Sequence, residues 1–197
     1  SYLNSLKNLI EIVQPFVVSD HLCWTGGSAH NLHNLLPIPF DEETLALVCN
    51  RVEKVQNFLN RKIVLENVSA YFTLSNSTMD EATFMNEICK RTESGILLDI
   101  NNIFVNSVNQ GYDAYDYLEK INLENVEQIH LAGHSDQGDY LFDTHSTFVC
   151  QKVWELYRHV IKKKPSIATL IEWDEQIPKF DVLEGEVIKA KKIKEEI

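Results

Sequence analysis

Short continuous runs of apolar residues alternate along the chain with stretches in which apolar positions recur every three or four residues. Over residues 2–13, Leu3, Leu6, Leu9, Ile10 and Val13 follow helical spacing, and Pro15 ends the pattern. The run Phe16-Val17-Val18 leads into Ser19-Asp20-His21. A polar stretch holding Gly26, Gly27, His30 and His33 then reads as a loop closed by Pro37 and Pro39. Asp41 is placed to cap a helix reaching Asn60, with acids in its first turn. Further runs end at Glu66-Asn67, at Asp99, at His130-Leu131 and at Glu172-Trp173-Asp174. Helical patterns are read over 80–92, 112–121, 148–163 and from Val182 onward. About five continuous apolar strands separated mostly by helices are the pattern of a parallel sheet in an α/β fold. No change of composition and no repeat divides residues 1–197, so a single domain is expected.

Composition narrows the function classes. The 197 residues carry 18 Lys and Arg against 29 Asp and Glu, a net charge of −11, and 44% are apolar. That is a globular profile, and the negative balance opposes binding to a nucleic-acid backbone. No apolar run approaches the roughly 20 residues of a membrane-spanning helix. Cys23, Cys49, Cys89 and Cys150 form no CxxC pair, so four reduced cysteines in a cytoplasmic protein are expected.

The chemistry gathers at the strand ends: Asp20 and His21, then Glu66, Asp99, His130 and Glu172, with Asp143-Thr144-His145 in the loop after the fourth strand. A (β/α) barrel builds its active site from the C-terminal ends of its strands. Carboxylates converging there would repel one another without a cation between them, and a mixed Asp, Glu and His set suits Zn, Mn or Fe. About seven candidate ligands allow more than one ion, with Glu66 bridging. His30, His33 and His159 read as solvated, while Trp24 and Trp173 follow strand ends and could wall a pocket.

Six ordered segments now resemble one family: Val18-Ser19-Asp20-His21-Leu22, Leu65-Glu66-Asn67, Leu97-Leu98-Asp99-Ile100-Asn101-Asn102, His130-Leu131-Ala132-Gly133-His134, Asp143-Thr144-His145 and Ile171-Glu172-Trp173-Asp174. The chain is similar over nearly its whole length to the DUF692 (UPF0276) family of multinuclear non-heme iron-dependent oxidative enzymes of the methanobactin-biosynthesis type. The resemblance implies a xylose isomerase-like TIM barrel. It also implies two or three irons and the O2-dependent modification of cysteine residues in a ribosomally made precursor peptide. A separate partner protein presenting the peptide's leader is a further implication. Carried onto this sequence, His21 and Glu66 would serve one iron, with Glu66 bridging to a second completed by Asp99, His130 and Glu172. Asp143 and His145, with Asn102, would form a third site. Glu66, Asp99, His130 and Glu172 would be the catalytic set, with Asp20, Asn67, His134 and Asp174 around it or facing substrate. The family's first two βα units, which hold an early histidine ligand, have no counterpart here. A barrel of eight strands needs about 250 residues, so the expectation is an incomplete barrel lacking about the first quarter. The alternatives are a redox-neutral sugar isomerase or phosphoesterase using Zn or Mn, and a non-catalytic binding module.

Overall fold

A computed structural model describes residues 2–27 and 30–197. Five strands form a parallel sheet: β1 (Ser19–His21), β4 (Val64–Glu66), β5 (Gly95–Asp99), β6 (Val126–Leu131) and β9 (Ala168–Ile171); the last four carry apolar runs, whereas β1 begins only after Phe16-Val17-Val18. They lie in the order β1-β4-β5-β6-β9, so each crossover advances the sheet by one strand, as in a TIM-barrel wall. Among the described residues β1 and β9 do not pair with each other, and the barrel is incomplete.

The register fixes which side chains meet. His21 lies opposite Glu66, Glu66 opposite Leu97, Asp99 opposite His130, and His130 opposite Leu170. Strand side chains alternate between faces. His21, Glu66, Asp99, His130 and Glu172 therefore share one face. Leu65, Ile96, Leu98, Ile129 and Leu131 occupy the other, within the hydrophobic core. Helices cover that second face: α2 (Glu42–Leu59), α3 (Glu81–Thr92), α4 (Ile100–Gln110), α5 (Ala114–Lys120) and α6 (Gln151–Lys163) supply Leu45, Phe84, Ile103, Leu118 and Tyr157 to the same core. α1 (Tyr2–Val13) and α7 (Phe180–Glu195) flank the layer. Each fully buried large side chain is worth about 1.5–3 kcal/mol of transfer free energy, so this layer holds the strand ends in place.

Several helix starts match the sequence reading. Asp41 accepts from the Thr44 amide, and Asp80 from the Thr83 amide. Three features differ from it. The stretch after His21 is not an irregular loop: β2 (Trp24–Gly27) and β3 (His30–Leu36) form an antiparallel hairpin. α4 starts directly at Asp99 where no helix was expected, because Asn-rich polar positions blur its apolar stripe. A second hairpin, β7 (Ser135–Asp136) with β8 (Leu141–Phe142), interrupts the loop after β6. His30 and His33 are exposed, as expected for solvated residues. The four cysteines are unpaired thiols. No helix among the described residues is long and apolar enough to cross a membrane.

Candidate metal centre

The shared face ends in a cluster of acids and imidazoles. One donor atom each from Glu66, Asp99, His130 and Glu172 lies within 4.8 Å of the others. His130 Nδ1 is 3.0 Å from Glu172 Oε2 and 3.4 Å from Glu66 Oε1. A second group joins His145, Glu172 and Asp174: His145 Nδ1 is 3.5 Å from Glu172 Oε2 and 3.3 Å from Asp174 Oδ2. The opposite ring nitrogen, His145 Nε2, is 2.7 Å from Asp143 Oδ1. Glu172 belongs to both groups. It follows β9 directly, and its amide donates to the Leu131 carbonyl, which fixes it beside β6.

Proximity here is not hydrogen bonding. His130 Nδ1, His145 Nε2, Glu172 Oε2, Asp99 Oδ2 and Asn102 Oδ1 are all buried without a hydrogen-bond partner. The imidazole nitrogens approach the carboxylates at short distance but off the axis that a ring N–H would take. Buried polar atoms are ordinarily satisfied, and each orphan costs about 1–3 kcal/mol. Three of these orphans, on Asp99, His130 and Glu172, belong to residues of the first donor group, and such a set fits a divalent metal, which takes lone pairs from carboxylates and imidazoles alike.

Electrostatics point the same way. Burial holds the Asp99 carboxyl far above its usual range. Burial works against charge on His130, but the Glu172 and Glu66 carboxylates outweigh it and push the ring up to about 10. His145 is likewise disfavoured by burial yet raised to about 10, chiefly by Asp143. Burial would raise Glu172, but His130 and His145 bring it below the usual carboxylate range. Protons thus bind tightly where the donors crowd, as they do where a cation is called for.

The surrounding residues fix these donors. Asp99 divides its oxygens: Oδ1 caps α4 by accepting from the Asn102 amide at 2.7 Å, leaving Oδ2 for the cluster. Asn67 clamps the Asp99 backbone on both sides, donating to its carbonyl and accepting from its amide, each at 2.9 Å. The Asn102 side chain donates to the Asn67 carbonyl and turns its own oxygen free. His21 reaches to 3.6 Å from Glu66 and is 44% exposed at its side chain, and Asp174 is more exposed still. Asp20 stands outside, accepting from the His21 amide.

One residue escaped sequence reasoning. Asn101 donates to Asp143 Oδ1 at 2.7 Å, and its oxygen lies 2.8 Å from His134 Nδ1. A carboxylate only accepts, so the amide nitrogen faces Asp143 and the amide oxygen faces His134. His134 must then carry its proton on Nδ1, and burial lowers its affinity for a second one. Asn101 sits within a quoted motif, but nothing in its type or spacing sets it apart from Asn102.

Comparison with known proteins decides the family. Residues 1–195 match the family described as RiPP precursor modification enzyme MbnB/TglH/ChrH, RiPP denoting a ribosomally made, post-translationally modified peptide. The chain belongs to that family. A UPF0276 protein of Caulobacter vibrioides is 45% identical over 190 residues, covering 96% of this chain and 68% of the relative. One from an Anaeromyxobacter species is 43% identical over 192 residues, with 98% and 68% covered. Among solved structures, the apo 3-keto-D-glucoside 4-epimerase of E. coli superposes with a TM-score of 0.54 at 11% identity, covering 96% of this chain and 69% of the epimerase. That likeness is one of fold. MbnB/TglH/ChrH members are thus the sequence relatives, and the strand-end cluster lies where a barrel of this type carries its active site.

Proposed function

We propose that this protein is a metal-dependent enzyme that oxidatively modifies cysteine residues of a ribosomally synthesised precursor peptide, with iron as its metal. The observation that carries the reading is the set of donors converging from four strand ends, three of them with a buried atom that lacks a hydrogen-bond partner, in a chain of the precursor-modifying family. Glu66, Asp99, His130 and Glu172 would hold one ion, approached by His21. His145, Glu172 and Asp174 would hold another, with Asp143 on the far ring nitrogen of His145 and Asn102 beside Asp99. Glu172, common to both groups, would be placed to serve both ions, the part that the sequence reading gave to Glu66.

Iron, when bound, would supply one-electron chemistry with dioxygen and affinity for a soft thiolate. The chain's own groups do the rest. His130 and His145 would hold the metal through neutral ring nitrogens, so their protons would be released on binding. His134, held as its Nδ1–H tautomer by Asn101, keeps a lone pair on Nε2. A partner protein presenting the peptide's leader belongs to the same reading.

Anaerobically purified protein tests it. Iron should exceed zinc and manganese, and a cysteine-containing precursor peptide should change mass only with both iron and dioxygen. Zinc or manganese with oxygen-independent turnover would replace the oxidative reading by a redox-neutral one.

A further inference from the structure

Next to Asp143, Tyr71, Tyr140 and Phe142 pack on one another with ring centroids 5.4–6.3 Å apart. Even so, they remain 44%, 46% and 42% exposed. The patch is built into the centre: the Asp143 amide donates to the Tyr71 hydroxyl at 3.0 Å, and Phe142 directly precedes Asp143. Its frame is the β7–β8 hairpin, closed by Gly138 at φ +88° and by the Gln137 amide on the Tyr140 carbonyl. Asp136 and Asp139 stand exposed on the same turn. Among the described residues no Lys or Arg forms an ion pair with either aspartate or lies over any of the three rings.

We infer that this patch is the docking surface for a cationic side chain of the substrate peptide, near its modified residue. The inference rests on the peptide-modifying reading above and adds a sequence preference to it. Three electron-rich ring faces next to unpaired carboxylates attract Lys or Arg by cation–π and Coulomb terms together. Because Phe142 precedes Asp143 and Tyr71 bonds its amide, a peptide side chain held on the rings lies beside the centre. The net charge of −11 favours the same sign of ligand.

The test uses metal-loaded protein and two fluorescein-labelled heptapeptides with a central cysteine, one flanked by lysines and its twin by glutamates. The lysine peptide should bind about tenfold more tightly. The double variant Tyr140→Leu with Asp139→Asn, on an exposed turn outside the ligand set, should erase that preference with metal content unchanged. Glu195→Gln, the same charge change on α7, should leave it intact. Equal affinities, no binding of either peptide, or a preference that survives the double variant would overturn the inference. So would loss of self-association as the variant's sole effect, because a second copy of the chain would then be the occupant. Failure of the oxidative reading would show instead as the absence of iron- and oxygen-dependent mass change, whatever the binding preference.

Discussion

Glu172 is the residue on which both donor groups depend, whereas Glu66 serves only one. Glu172→Gln should therefore deplete metal from both groups, and Glu66→Gln should spare the group around His145 and Asp174. Elemental analysis of the two variants decides this; greater loss from Glu66→Gln would return the bridge to Glu66. Asn101→Ala removes the donor that orients Asp143 and should weaken metal affinity by about 10- to 100-fold, the usual cost of losing a group that aligns a ligand. Competition with a fluorescent chelator measures it. The metal-free protein should also report its histidines. His130 and His145 hold protons up to about 10 in the fold and to about 6.5 in an unfolded chain. Their contribution is thus complete below about pH 6.5 and fades as pH climbs toward 10. The thermal midpoint of metal-free protein should fall across that window, and His130→Gln should flatten the fall. Equal slopes would show that the imidazole stays neutral.

At the scale of elements, the loop after β6 is held by a close approach. A methyl on Gly133 would overlap the Thr147 carbonyl, and the Thr147 hydroxyl donates to the His134 carbonyl. Gly133→Ala should cost about 1–3 kcal/mol, read by urea denaturation, and should displace His145 enough to lower metal content. Wild-type stability would mean that the two segments part freely. These elements also show what a sequence can carry. β4, β5, β6 and β9 were legible because buried parallel strands read as continuous apolar runs. The helices behind Asp41 and Asp80 were legible because a capping aspartate precedes each. α4 was not, because Asn101, Asn102 and Asn106 stand inward where an apolar stripe would be sought. Their amides serve Asp143, Asn67 and the Val68 carbonyl rather than the core. The hairpins were illegible for another reason: β2–β3 is exposed along nearly its whole length, and β7–β8 has two-residue strands, too short for any periodicity. At the site, the grouping of Glu66, Asp99, His130 and Glu172 was legible from the strand ends. The sharing of Glu172 was not, because it depends on the distance of His145 from β9, which no local pattern encodes.

At the scale of the whole molecule, the sheet gathers acid from β4, β5 and the end of β9, and imidazoles from β1 and β6. It sets that charge on the inner face, opposite the hydrophobic core. On the proposed reading such a fold would be coupled to a cation: bound metal would stabilise the native state by mass action, and protons would compete for the same atoms. The most direct test is a count of metal ions per chain, by elemental analysis of anaerobically purified protein, beside Glu172→Gln and beside the full-length Caulobacter vibrioides relative. The expected result is two or more irons per chain in the relative, iron in this chain, and little or none in the variant. A metal-free chain and relative, or a Glu172→Gln protein that keeps its full complement, would contradict the reading of the strand-end cluster as a multinuclear centre.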